Sequence, residues 1–266
     1  MQSAGSWSVT LSEDVTACAA IVERGDPDRF MAAMAAPVAA RRVLFPLYAF
    51  NVEVSRAPWV TEETMIAEMR LQWWRDAVEE IAKGGAVRRH EVVTPLAEML
   101  TPDMAAGMDE MIAVRRWDIY KDPFEDAAHF ERYIDQSAGT LIWVAARVLG
   151  QAEESVVRDV GYASGVAAWL RAIPELEARK RVPLLDGTPD GVRALAQGAL
   201  DRLQRARRNR RAVSRAAAPA LLAGWQSGAI LKQAVHDPQA VADGTLGQSG
   251  AQKRLSLMWR AATGRW

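Results

Sequence analysis

Cysteine is nearly missing from this 266-residue chain, where Cys18 stands alone. A lone cysteine cannot close an internal disulfide, so the composition points to a reducing compartment. Histidine is scarce as well: His90, His129 and His236 are scattered, and neither their spacing nor Cys18 makes a zinc-ligand pattern. There is no excess of charge of either sign, since 33 Lys and Arg balance 33 Asp and Glu. No global field therefore draws the chain to nucleic acid or to an acidic partner, and such roles are left to local patches. No apolar run reaches the roughly 18 residues that a membrane span needs. The opening stretch MQSAGSWSVTLSEDV has no basic n-region followed by an apolar h-region, so no signal peptide is expected. Strand signatures are almost absent, which argues against a sheet architecture.

The composition is otherwise that of a soluble globular protein, and the chain is long enough to bury a large core. Ala, Leu, Arg, Glu and Met dominate, with apolar residues recurring at three and four, the period of helices. A first helix is expected from Leu11 to Arg24, capped by Thr10 or Ser12 and ended by Gly25. Asp26-Pro27 opens a short helix to Ala35, and Pro37 starts one that ends near Ala57-Pro58. Thr61 caps a helix with Met65, Met69, Trp73 and Val78 on one side, stopped by Gly84-Gly85. Further helices are expected at about Thr94 to Leu100, at Pro102 to Tyr120 with Met104, Met108, Met111 and Ile112 inward, and from Phe124 to Gly150. In the next segment Gly161, Ala163, Ser164, Gly165 and Ala167 suggest close helix approach or a lined cavity, and Pro174 kinks or ends it. Helices over Val192 to Arg215, Leu221 to Val235 and Ala251 to Arg260 complete the chain. With no internal repeat or low-complexity linker, residues 1–266 read as one all-α domain, with an N-terminal helix in 1–25 and a turn and helix in 236–266.

Three groups carry candidate chemistry. Arg202, Arg205, Arg207, Arg208, Arg210, Arg211 and Arg215 form either a solvated helix face or a peripheral membrane contact for anionic lipid, spanning Arg202–Arg215. No nucleic-acid motif accompanies the run, so nucleic acid is not an expected partner. Trp73 and Trp74 either pack in the core or line a cavity for an apolar ligand, and only one of the two faces the centre. Tyr133, Gln136, Ser137 and Thr140 either satisfy one another or point into a polar cavity.

Several segments, in order, resemble the squalene/phytoene synthase family. LYAF at Leu47 to Phe50 resembles its first motif, RLQWWRDAV at Arg70 to Val78 its second helix signature, and SAGT at Ser137 to Thr140 its AG-S/T-V-G segment. LRAIPELEARKRVPLL at Leu170 to Leu185 resembles its second acidic motif and the R-x-x-x-P element after it. The resemblance is strong from about Asp26 to Leu185 and weaker beyond. It implies an isoprenoid-synthase helical bundle with a central cavity. The family's enzymes condense two prenyl diphosphates head to head, using two aspartate-rich motifs on facing helices to hold the Mg²⁺ that neutralises the leaving diphosphate.

This sequence departs from that pattern at the metal positions. Where the first motif has aspartates the chain has Ser55, Arg56 and Trp59, and the second motif's asparagine and aspartates are Ala168, Ala172 and Leu176. A guanidinium at position 56 repels a divalent cation. The resemblance with these departures implies no catalytic residue, no metal and no cofactor. It sets Tyr48, Val52, Arg56, Gln72, Trp73, Asp76, Gln136, Thr140, Arg171, Glu175 and Arg179 as candidate cavity or ligand residues. Two alternatives stay open. One is a prenyltransferase holding Mg²⁺ through Glu53, Asp76 and Glu175. The other is a metal-free isoprenoid or lipid binder that uses Arg56, Arg171 and Arg179. AFNVE, MRLQWW with VEEI, and GVAAWLRAIP with RKRVPL further resemble a branch of the family that lacks the acidic motifs and serves in assembly of mitochondrial complex I. This implies an assembly or scaffold role for respiratory NADH dehydrogenase, with complex I subunits or assembly intermediates as partners and a cytoplasmic location, peripheral at the inner membrane.

Overall fold

Short punctuating residues set the helix boundaries, beginning with Ser12. Its side chain accepts a hydrogen bond from Val15 N (3.3 Å) and caps α1, Glu13–Gly25. Asp26 then closes α1 and caps α2, Pro27–Ala35, by accepting from Arg29 N. The computed structural model describes residues 11–266, so the alternative cap Thr10 lies outside the described residues. Next come α3 (Val38–Arg56), which runs through Pro46 and continues as a 3-10 turn to Trp59, then α4 (Thr64–Lys83), α5 (Val93–Ala97) and α6 (Pro102–Val114). A 3-10 turn at Arg115–Asp118 follows, then α7 (Ala127–Ile134), a π-helical turn at Asp135–Gly139, α8 (Thr140–Leu149) and α9 (Glu154–Ala178). The chain finishes with α10 (Pro189–Arg208), α11 (Ala218–Leu221), α12 (Ser227–His236), α13 (Gln239–Ala242) and α14 (Gly250–Thr263). Among the described residues there is no strand, only an isolated bridge between Ala152 and Val213.

Two sequence expectations need correction, and the two outcomes open for Pro174 are narrowed to one. Thr61 does not cap α4. Its hydroxyl accepts from Glu63 N (3.1 Å), and the helix begins at Thr64. The face of α4 that packs inward is Ala67, Leu71, Trp74, Ala77, Val78 and Ile81, while Met65, Met69 and Trp73 are 75%, 65% and 36% exposed. The larger stripe at three- and four-residue spacing wins, because it buries the most apolar area at once. Pro174 does not end α9, which runs on to Ala178. Buried Ile173 and Leu176 flank the proline, and their packing offsets the hydrogen bond that Pro174 cannot donate.

α9 is the central element. It packs against α8, α10, α12 and α13 and crosses the π-helical turn closely. Its small residues make that crossing. A Cβ on Gly161 would sit 2.6 Å from the Gly139 Cα, and one on Gly165 would sit 2.6 Å from Ile134 Cγ2 and 2.8 Å from the Ala138 Cβ. Buried side chains from α1 to α14 join in one connected core.

Gly161→Ala should therefore destabilise the protein by about 1–3 kcal/mol, because its nearest obstacle is backbone. Gly198→Ala, at an exposed position of α10 with nothing within 4 Å of its would-be Cβ, should stabilise by about 0.5–1 kcal/mol. Urea unfolding of the two variants reads the opposite signs directly.

Candidate functional site

α3 and α9 face each other across a cleft of about 550 Å³. From α3 and its 3-10 extension come Asn51, Val52, Ser55, Arg56 and Trp59, spaced so that one helix face presents them all. From α9 come Gly165, Ala168, Trp169, Ala172, Glu175, Leu176 and Arg179. The π-helical region supplies Tyr133, Ile134, Ser137 and Ala138, the turn after α6 supplies Arg115 and Asp118, and the junction of α1 and α2 supplies Asp26 and Arg29. Within the π turn the Ser137 hydroxyl donates back to Tyr133 O (2.6 Å), and the turn passes Gly161 at its closest approach.

A buried polar network holds one wall. The Tyr133 hydroxyl donates to Asp118 Oδ1 (2.9 Å), Arg115 Nη1 donates to Tyr133 Oη (2.8 Å), and the same nitrogen lies 3.3 Å from Asp118 Oδ2. Burial pushes the Asp118 carboxyl above its ordinary range, opposed by the charge of Arg115 and the hydroxyl of Tyr133. The Tyr133 hydroxyl is also pushed up by burial. Behind the network lies Arg181, whose Nη1 and Nη2 donate to the carbonyls of Asp118 and Trp117 (3.1 and 2.9 Å). Its guanidinium stacks 4.4 Å from the Trp117 ring centre and 5.6 Å from that of Trp59. Arg181 reaches this place because Lys180 takes a left-handed conformation, φ 61°, at the end of α9, and Arg181 N donates back to Leu176 O (2.9 Å).

Each acid that lines the cleft has a guanidinium partner. Asp26 pairs with Arg29 (2.5 Å), Asp118 with Arg115 (3.3 Å) and Glu175 with Arg179 (2.7 Å). Arg179 also lies over Trp59, 4.9 Å from its ring centre. Arg56 is exposed at the rim and has no charged partner among the described residues. Among the described residues no three Asp, Glu, His or Cys side chains gather in a way that could hold a metal ion. The donor set thus does not fit the two-metal chemistry that facing carboxylates would support.

The expected site residues divide clearly by position. Ser55, Arg56 and Trp59 meet Ala168, Ala172 and Leu176 in the cleft, together with Val52, Glu175 and Arg179. Tyr48 is fully buried beneath, its hydroxyl without a partner. Gln72, Trp73 and Asp76 lie on the outer side of α4. Gln72 donates to Asp76 (2.7 Å), and Arg88 covers the Trp73 ring at 4.9 Å. Gln136 faces a separate charged groove beside α10, and Thr140 is buried near Gly107. Arg171 points away to Asp28 on α2 (3.0 Å). Glu53, Asp76 and Glu175 do not share a site, since only Glu175 lines the cleft. Sequence reasoning missed Arg29, Arg115, Asp118 and Arg181. Only Arg115 and Asp118 had a local signal, their three-residue spacing on a short turn.

With this geometry in place, comparison with known proteins gives a consistent result. The squalene/phytoene synthase family model matches residues 22–184, and the chain belongs to that family. It is 28% identical over 177 residues to the Drosophila melanogaster homolog of NADH dehydrogenase (ubiquinone) complex I, assembly factor 6, covering 63% of this chain and 53% of that protein. It is 22% identical over 180 residues to assembly factor 6 of Bos taurus, covering 62% and 51% of the two chains. The chain thus spans about half the length of the curated relatives it matches. Among solved structures, a dehydrosqualene synthase in complex with ligand superposes with TM-score 0.75 at 15% identity, covering 94% of this chain and 96% of that one. A squalene synthase from Alicyclobacillus acidocaldarius gives 0.66 at 17% identity, covering 84% and 93%. The fold is that of squalene/phytoene synthases.

Removing one partner of the buried network leaves the other charge uncompensated. Asp118→Ala should cost about 3–5 kcal/mol, and Tyr133→Phe about 1–3 kcal/mol. The double variant Arg115→Met, Asp118→Leu should be less destabilised than the sum of its single variants, because it leaves no orphan charge. Denaturant unfolding around this cycle measures the coupling.

Proposed function

We propose that this protein is a non-catalytic member of the squalene/phytoene synthase family that acts as an assembly or scaffold factor for respiratory NADH dehydrogenase, complex I. The observation that carries the reading is what fills the cleft between α3 and α9. At the positions where the resemblance sets the two acidic motifs stand Ser55, Arg56, Trp59, Ala168, Ala172 and Leu176. Ionising a prenyl diphosphate needs its charge neutralised by Mg²⁺ on hard oxygen ligands, chiefly carboxylates, and this set offers no carboxylate. Arg56 adds a fixed positive charge where a cation would sit. The names of the relatives, all assembly factor 6, support the second half of the reading. On it the partners are complex I subunits or assembly intermediates. No helix among the described residues is long and apolar enough to cross a membrane, and the location we propose is the cytoplasm, at the inner membrane face.

A second reading is favoured by one specific observation, Arg56 with no charged partner among the described residues at the mouth of a cleft that also holds Arg29, Arg115 and Arg179. In this reading the cleft binds an isoprenoid or lipid anion without metal through arginine forks. Arg171, on the far side of α9, takes no part.

Incubation with farnesyl or geranylgeranyl diphosphate and Mg²⁺ should release pyrophosphate no faster than the buffer blank. Sustained release would sink the non-catalytic reading. Membranes from a deletion strain should lose several-fold NADH:quinone oxidoreductase activity, restored by the intact gene, whereas unchanged activity removes the assembly role. Titration with a prenyl diphosphate in EDTA separates the second reading, which fails if no saturable binding appears in wild type or if Arg56→Ala binds equally well.

A further inference from the structure

A second recess, of about 310 Å³, lies between the end of α10 and α14, far in sequence from the cleft motifs. Its lining is Arg207, Arg210, Trp259, Arg260, Arg265 and Trp266, with no side-chain carboxylate. The first part of the arginine run is balanced: Arg202 pairs with Glu131, and Arg205 holds Asp159 through Nε and Nη2 (2.7 and 2.6 Å). Arg207 is different, because it turns inward. Its Nε donates to a main-chain oxygen of Trp266 (3.0 Å), while its Nη2 is buried with no hydrogen-bond partner. Arg260 Nε is likewise buried and unpartnered. Burial, with Arg260 beside it, brings Arg207 down to about 10, and burial lowers Arg260 as well.

Buried N–H groups without acceptors are costly, and desolvated guanidiniums with no side-chain carboxylate beside them more so. A tetrahedral oxyanion supplies both the charge and the acceptor oxygens that this arrangement lacks. The surroundings point to its source. α14 exposes Leu255, Met258 and Trp259 at 68%, 67% and 51%, at i, i+3 and i+4, so they form one apolar stripe. Arg208, Arg211 and Arg254 are exposed with no partner among the described residues. An apolar helix face beside a cluster of arginines is the pattern of a helix lying in the interface of an anionic bilayer.

We propose that this recess binds the phosphate group of an anionic phospholipid, with Arg207 and Arg260 as its ligands and Leu255, Met258 and Trp259 set into the bilayer interface. The test is co-sedimentation of the full chain with vesicles of phosphatidylcholine alone and with phosphatidylglycerol added. Inorganic phosphate titrated in parallel against the melting temperature serves as the soluble probe. The protein should pellet with the anionic vesicles and not with pure phosphatidylcholine. Arg207→Gln, Arg260→Gln and Trp259→Ser should each weaken this binding at least tenfold. Arg210→Gln, at an exposed lining position, replaces any arginine variant whose circular dichroism shows that it has not folded. Equal retention of the folded arginine variants on anionic vesicles overturns the site. Saturable phosphate binding that Arg260→Gln abolishes, with no vesicle binding, overturns the lipid as its source. No binding to either probe overturns both.

Discussion

The structure depends on one close approach, the crossing of α9 over the π-helical turn at Gly139 and Gly161. With a Cβ at Gly161 only 2.6 Å from the Gly139 Cα, the two backbones touch with nothing between them. That contact fixes how deep α9 sits, and α9 in turn supplies the packing surface for α8, α10, α12 and α13. It also sets the geometry of the cleft. Tyr133, at the end of α7, leads directly into the π turn, and its hydroxyl reaches Asp118 on the cleft wall. Interiors packed this tightly transmit such a constraint rather than absorb it.

The polar wall of the cleft follows from that placement. Asp118, Arg115, Tyr133 and Arg181 come from three separate segments and meet in a region largely closed to water. A set of this kind is stable only when nearly every member is satisfied, and it then fixes one arrangement over its competitors. The exception is informative. Arg115 Nε, Arg181 Nε and Trp117 Nε1 are buried without partners on this side of the molecule. Donors therefore exceed acceptors in this part of the interior.

Much of the architecture was legible in the sequence. The boundaries of α1 and α2, the inward methionines of α6 and the small-residue crossing of α9 follow from caps, period and residue size. The convergence of Ser55, Arg56 and Trp59 with Ala168, Ala172 and Leu176 came from the resemblance, not from the residues' own pattern. What escaped was decided by competition between faces or by long-range contact. Trp73 and Trp74 are adjacent, and only packing against Phe50, whose ring centre is 5.4 Å from that of Trp74, selects the inner one. Gln72 and Asp76 follow Trp73 outward for the same reason. Arg171 carries a spacing fit for the cleft, yet Asp28, 143 residues away in sequence, holds it outside. Arg181 was unreadable, because its burial depends on a left-handed lysine that residue preferences would have assigned to glycine.

The charge pattern of the cleft is balanced from within the chain. Facing helices that each present several carboxylates repel one another unless cations intervene, and the closed form then depends on metal. Here every carboxylate of the lining is matched by a neighbouring guanidinium, as Asp26 is by Arg29, Asp118 by Arg115 and Glu175 by Arg179. Trp59, set between α3 and the guanidinium of Arg179, fills space with an aromatic face that favours cations already fixed to the protein. The negative charges of the lining are thus neutralised by the chain's own guanidiniums.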